Sequence, residues 1–131
     1  MKLYIAHQSP SSRKMLALLN FLDIEIDTEF PDLMAGEHKS PEYLAINPNG
    51  KVPALVDGEL KLWESNSIMR YIVDKLAPDH SLYPKDLAVR ADINRWLDWE
   101  LAHFNQAAGV FGWERVAKPL FNLGEPKQAL L

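Results

Sequence analysis

Between Asn47 and Ile72 the chain packs more conformational instruction than anywhere else along its length. Asn47-Pro48-Asn49-Gly50 is a strong turn signal. Val52-Pro53-Ala54-Leu55-Val56 and Leu60-Lys61-Leu62-Trp63 flank Asp57-Gly58, which reads as a β-hairpin. Glu64-Ser65 then leads into a helix with Ile68, Met69, Ile72, Val73 and Leu76 on one face, ended by Ala77-Pro78-Asp79. A proline at the start of a strand, straight after a turn, is a candidate cis bond, because X-Pro is where cis costs least. Val52 would then offer a free backbone edge to an extended, peptide-like ligand. Ser65 sits where helix N–H groups lack partners, so its hydroxyl and the helix dipole suit a carboxylate. Glu64 beside it can accept from a ligand ammonium. Adjacent groups thus match the two charges of an amino acid.

Upstream, Leu3 to Ala6 reads as a buried strand ended by His7-Gln8-Ser9-Pro10. Serine followed by proline starts a helix, with Ser9 as N-cap and Pro10 at the first helical position. Met15, Leu16, Leu18, Leu19 and Leu22 follow at helical spacing, and Asp23 breaks the pattern. Ile24-Glu25-Ile26-Asp27 alternates as a second strand would. Strand, helix, strand with a crossover of this size implies a right-handed parallel pair. A polar stretch from Pro31 to Pro41 ends in Ser40-Pro41-Glu42-Tyr43, one short helical turn.

Composition excludes several classes of chemistry. The chain has no cysteine, so disulfides, thiolate metal sites and thiol nucleophiles are absent. His7, His80 and His103 show no metal-ligand spacing, and no metal is expected. Fourteen basic against eighteen acidic residues give no electrostatic reason to expect nucleic acid or an anionic membrane. No apolar run approaches the length of a membrane span, and the opening Met1–His7 turns polar too soon for a signal peptide. A cytoplasmic protein of ordinary globular composition, 47% hydrophobic and 24% charged, is the expectation.

Two stretches in register carry a resemblance. Ile46-Asn47-Pro48-Asn49-Gly50-Lys51-Val52-Pro53-Ala54-Leu55 and Leu62-Trp63-Glu64-Ser65-Asn66-Ser67-Ile68 strongly resemble the glutathione transferase family. Gly36-Glu37-His38-Lys39-Ser40-Pro41-Glu42-Tyr43 is similar to the loop and short helix of its phi- and delta-like branches. The resemblance implies an α/β thioredoxin-like N-terminal domain, ordered βαβ-α-ββα, followed by the start of an all-α C-terminal domain. It implies glutathione as co-substrate, with Val52, ahead of Pro53, pairing through its backbone with the cysteinyl part. Glu64 and Ser65 would hold the γ-glutamyl end, and His38, Lys39 and Lys51 would lie near the glycine carboxylate. Ser9, four residues before Arg13, takes the place of the catalytic serine of serine-type members. Its O–H would donate to the glutathione thiolate and stabilise it without itself being deprotonated.

The match departs from the family pattern at three points. Ser9 is followed directly by Pro10, which leaves Ser11 and Ser12 as competing hydroxyls. Asn66 stands where arginine is frequent. The absence of cysteine excludes the cysteine-type thiol-transferase branch. The reading that follows is a serine-type glutathione transferase, usually a homodimer in this family, conjugating the thiolate to a mostly apolar electrophile. A second-substrate pocket would involve Trp99, His103 and Gln106, although Trp96 and Trp99 also read as packing residues. The rivals are a non-catalytic glutathione-binding or interaction module, and a glutathione-dependent isomerase, dehalogenase or peroxidase of the same fold.

The expected organisation is a glutathione-binding domain over residues 1–80, a linker over 81–85 and a helical segment over 86–131. In that segment Ile93, Trp96, Leu97, Leu101 and Phe104 form one stripe, while Trp99, His103, Gln106 and Val110 lie on another. A helix apolar on two sides expects neighbours on both. Gly109 and Gly112 weaken its end, and Pro126-Lys127-Gln128-Ala129-Leu130-Leu131 reads as the first turn of a further helix. Such a segment is only the beginning of the family's helical domain. The expectation is a truncated, proteolysed or gene-fragment form, with a partner chain covering the apolar surface.

Overall fold

Leu3 and Ile5 alternate with Tyr4, so β1 (Lys2–Tyr4) sends its apolar side chains to one face and a tyrosine to the other. The computed structural model describes residues 1–130; Leu131, at the end of the expected final turn, lies outside them. β1 is followed by α1 (Pro10–Leu22), β2 (Asp27–Glu29), a 3-10 turn (Glu37–Lys39), α2 (Pro41–Leu44), β3 (Ala54–Asp57), β4 (Leu60–Trp63) and α3 (Ser65–Leu76). The strands form one sheet in the order β2-β1-β3-β4. β1 and β2 run parallel, and the other two pairings are antiparallel. This is the thioredoxin-like βαβ-α-ββα order.

The core is built from Leu3, Ile5, Met15, Leu55, Ile68 and Ile72, all fully buried. Residues from β1, β3, α1 and α3 therefore contribute to a single core, and α1 packs against α3. On the other face Tyr4 meets Tyr43 of α2 edge-on, ring centres 5.7 Å apart. α1 starts as its sequence predicts: the Ser9 side chain accepts from the Ser12 N–H, and Pro10 occupies the first turn. Asp23 ends it in the left-handed region at φ 52°.

Two details differ from the sequence expectation. β2 begins at Asp27 rather than Ile24, because its register is set by pairing with β1, Lys2 opposite Asp27. The hairpin turn is Gly58-Glu59, with Asp57 paired to Leu60, one residue later than the Asp57-Gly58 reading. Gly58 supplies the positive φ, 59°, that such a tight turn needs.

By contacts the chain divides into two compact units, the first Met1–Pro84 and the second from Lys85 onward. The second unit is helical. α4 (Leu87–Trp99), capped by the Asp86 carboxylate on the Val89 N–H, runs into a π-helical stretch at Glu100–Phe104. α5 (Asn105–Gly112), a second π-stretch (Trp113–Ala117) and α6 (Lys118–Leu120) follow without a break in helical backbone. Gly109 and Gly112 do not end the helix: one glycine costs about 1 kcal/mol relative to alanine, too little to stop it. Beyond it the chain is held by Glu114, 3% exposed, whose carboxylate accepts from Lys118 Nζ and from the Lys127 N–H, each at 2.6 Å. Among the described residues the tail ends in a 3-10 turn at Gln128–Leu130. No described helix is long and apolar enough to cross a membrane.

Candidate functional site

The Val52–Pro53 peptide bond is cis. Neither the N–H nor the C=O of Val52 has a hydrogen-bond partner among the described residues. Val52 precedes β3 and is half-buried, so it keeps one donor and one acceptor for an extended ligand. The Lys51 carbonyl beside it is held from two sides. Tyr43 Oη donates to it at 2.8 Å and Asn47 Nδ2 at 2.7 Å. Burial, with Tyr4 adding to it, pushes the Tyr43 hydroxyl pKa up to about 12, which keeps it a donor. Asn47, 2% exposed, also accepts from the Asn49 N–H at 3.0 Å and so closes the turn. Sequence reasoning used Asn47 and Tyr43 only as turn and helix signals and missed their joint role as the brace of the Val52 edge.

α3 begins at Ser65. Glu64 is the N-cap, at φ 71° and ψ 113°, and its side chain makes no capping bond. A glutamate at positive φ is an outlier that surrounding structure must enforce. Ser65 is the first helical residue and 8% exposed; neither its N–H nor its hydroxyl has a partner among the described residues. The first turn of α3 contains no acidic residue. An N–H, a hydroxyl and the positive helix end therefore converge on a place suited to a carboxylate. The exposed Glu64 carboxylate stands next to it in the chain.

The three serines of the β1–α1 loop and helix separate by their bonds. Ser12 is fully buried, and its Oγ accepts from the Ala6 N–H at 3.1 Å. It holds the loop and, being fully shielded, presents no surface on which a ligand could meet its hydroxyl. Ser9 is half-buried, and its Oγ accepts from the Ser12 N–H at 3.3 Å. A capping oxygen uses a lone pair and keeps its proton, so Ser9 can cap α1 and donate to an anion at once. Ser11 is half-buried within the first turn of α1.

The cationic end is only partly as expected. Lys39 Nζ donates to the backbone carbonyls of Gly50, at 2.8 Å, and Asn49, at 3.4 Å. It is a clamp on the turn before it is a ligand contact. Gly50, at φ 55°, makes room for it: a Cβ there would come within 2.7 Å of Lys39 Nζ. Lys51 is exposed. His38 Nδ1 is buried without a partner among the described residues. Burial, then the Lys39 charge, hold the His38 pKa below 6.5, so the imidazole is neutral at neutral pH. His38 therefore offers a hydrogen bond rather than a charge.

In the second unit, Trp99 ends α4, His103 lies in the first π-stretch and Gln106 in α5, and all three are exposed. Trp99 packs edge-on to Trp96 at 5.8 Å and tilted to Phe104 at 6.0 Å. Trp99 and His103 line an open hollow with Asn94, Arg95 and Asp98, and Gln106 does not. In the first unit, a hollow of 330 Å³ bounded by Tyr4, Glu29, Glu37 and Tyr43 includes none of the candidate residues. No group of three or more His, Asp or Glu among the described residues could hold a metal ion.

Residues 1–74 match the family model described as "Glutathione S-transferase, N-terminal domain". Glutathione S-transferase 3 of Zea mays is 35% identical over 131 residues, spanning 100% of this chain and 59% of that protein. Human glutathione S-transferase theta-2 is 36% identical over 132 residues, 98% of this chain and 52% of that one. The theta-class enzyme of Xanthomonas axonopodis pv. citri, solved with glutathione bound, superposes with a TM-score of 0.85 at 33% identity. That match covers 98% of this chain and 60% of the bacterial one. The chain thus spans little more than half the length of these relatives.

Proposed function

The chain belongs to the glutathione S-transferase family, and from that premise we propose that it binds glutathione along Val52, Glu64 and Ser65 for thiolate transfer to an electrophile. What carries this reading is the set of open hydrogen-bonding groups: the Val52 N–H and C=O, and the Ser65 N–H and hydroxyl. A tripeptide with a γ-glutamyl head matches that set in order. Its cysteinyl backbone pairs with Val52, its γ-glutamyl carboxylate sits at Ser65, and its ammonium donates to Glu64. The glycine carboxylate then faces Lys39, Lys51 and the neutral His38.

Ser9 is the catalytic residue in this reading. Its hydroxyl donates to the bound sulfur, and the positive end of α1 adds to the same effect. Both favour thiolate over thiol and lower the sulfur's pKa. The thiolate attacks an electrophilic carbon, a C–S bond forms, and the leaving group departs with its electron pair. Trp99, His103 and Gln106 contribute to binding a mostly apolar second substrate, and the working form is a homodimer. The test is calorimetric titration of the chain and its Glu64→Ala/Ser65→Ala variant with glutathione. The variant is expected to lose at least tenfold in affinity, since two polar ligand contacts disappear. Equal affinities would refute this placement of the ligand.

A further inference from the structure

The long helix of the second unit stops just before Asn122, which adopts the left-handed region at φ 52°. The Leu123 N–H reaches back to the Lys118 carbonyl at 2.9 Å and the Asn122 N–H to that of Pro119 at 3.4 Å, the paired bonds that close many helices. Gly124, at φ 96°, lets the chain double back. The strap that follows, residues 125–130, has little apolar hold. Pro126 is half-buried and every other described residue of the strap is exposed, Leu130 at 55% among them. Among the described residues its hydrogen bonds to the helix are three. Glu114 Oε2 accepts the Lys127 N–H at 2.6 Å, Lys118 Nζ donates to the Glu125 carbonyl at 3.5 Å, and Arg115 Nη2 donates to Gln128 Oε1 at 3.4 Å. Two of the three come from one ion pair, Lys118 Nζ to Glu114 Oε2 at 2.6 Å, whose members sit four residues apart, 8% and 3% exposed.

An ion pair this deep adds little net stability, because the hydration that both charges lose offsets their attraction. Breaking it from one side is another matter, since the remaining charge is then buried without a partner. The geometry of the pair suits fixing a position. The strap presents a backbone N–H at Lys127 and a carbonyl at Glu125, and the pair supplies the matching acceptor and donor. A slip that carried Pro126 to the Glu114 carboxylate would present no N–H at all. The Lys118 ammonium and then the Lys127 N–H hold the Glu114 carboxyl below the usual carboxylate range, so the acceptor is charged at neutral pH.

We propose that the Glu114–Lys118 pair is a positional lock: it selects where residues 125–130 attach to the helix, and contributes little to how stably the helix folds. The experiment compares the full chain with its Glu114→Leu, Arg115→Ala and Glu114→Leu/Lys118→Met variants. Thermal unfolding gives Tm, and trypsin cleavage after the exposed Lys127, scored by mass as release of residues 128–131, gives the hold on the strap. Glu114→Leu is expected to lower Tm by about 10 °C, because the Lys118 ammonium stays buried without its counter-charge. The double variant removes both charges and should melt within about 3 °C of the unaltered chain. Both should be cut after Lys127 at least tenfold faster, the scale of one lost charge-assisted bond. Arg115→Ala, which removes only the exposed link, should be cut less than threefold faster. If the double variant loses as much Tm as Glu114→Leu, the pair is a stabiliser and the proposal is overturned. If the double variant is cut after Lys127 at the original rate, or Arg115→Ala speeds cleavage as much as the double variant does, the strap is positioned by something else and the proposal is again overturned. Should Glu114→Leu not fold, the double variant decides both points by itself.

Discussion

Replacing Ser9 and Ser12 one at a time by alanine separates two jobs that neighbouring hydroxyls could share. Ser12 Oγ is fully buried and satisfies the Ala6 N–H at 3.1 Å. Ser12→Ala leaves that buried donor unpaired, at a cost of about 1–3 kcal/mol. For a unit of this size about 2 kcal/mol corresponds to a fall of roughly 10 °C in Tm. Ser9→Ala loses the cap on α1, about 1 kcal/mol, and a smaller fall in Tm follows. The two variants diverge at the sulfur. A hydrogen bond to a charged group contributes about 1.5–3 kcal/mol. At about 1.4 kcal/mol per pKa unit, Ser9→Ala should raise the pKa of bound glutathione by about one to two units. Ser12→Ala should leave it unmoved. The assay is a pH titration of thiolate absorbance at saturating glutathione, with thermal unfolding alongside. A raised thiol pKa in Ser12→Ala with none in Ser9→Ala would refute the assignment. An unchanged Tm in Ser12→Ala would refute the structural role of its buried bond.

Glu64 and His38 give two further expected outcomes. Glu64→Gly removes the strain of a non-glycine residue at φ 71° and should stabilise the chain by about 1 kcal/mol in urea unfolding while weakening glutathione; a loss of stability would contradict the strain. Burial holds His38 neutral, with its pKa below 6.5, so the unfolded chain binds the extra proton first as pH falls. The stability this contributes is complete above about pH 6.5 and is lost as pH drops through the depressed folded value. Urea unfolding between pH 7 and 5 should show that slope, and His38→Gln should flatten it.

Much of the first unit is legible because its signals are local. Ser9-Pro10, Ser40-Pro41 and the Asn47–Gly50 turn each depend on a few adjacent residues whose preferred conformations agree. What escaped sequence reasoning is set by partners distant in the chain. The register of β2 comes from Lys2 opposite Asp27, and no alternation within β2 encodes it. The burial of Ser12 and its service to Ala6 appear only once β1 and α1 are folded together. Glu64 at positive φ runs against its own propensity, so local rules assign the cap to Ser65 instead. The Lys14–Asn66 contact joins residues 52 positions apart. The π-stretches are invisible because composition carries no signature for one extra residue in a turn.

Those π-stretches bear on how the long helix tolerates change in length. Its less exposed residues include a line through Arg90, Ile93, Leu97, Glu100, Asn105, Ala108, Gly112, Ala117 and Phe121, with Asn94 beside that line and Glu114 and Lys118 buried where they hold the tail. Successive members lie three or four positions apart except at Glu100 to Asn105 and Gly112 to Ala117, where the step is five. Those two long steps fall across the π-stretches, which therefore each house one residue beyond what an α-turn requires. The helix holds two spare residues. A one-residue deletion within either stretch turns a step of five into a step of four and leaves the shielded line intact. Anywhere else the same deletion swings everything downstream by about 100° and moves exposed tryptophans and shielded alanines off their places together.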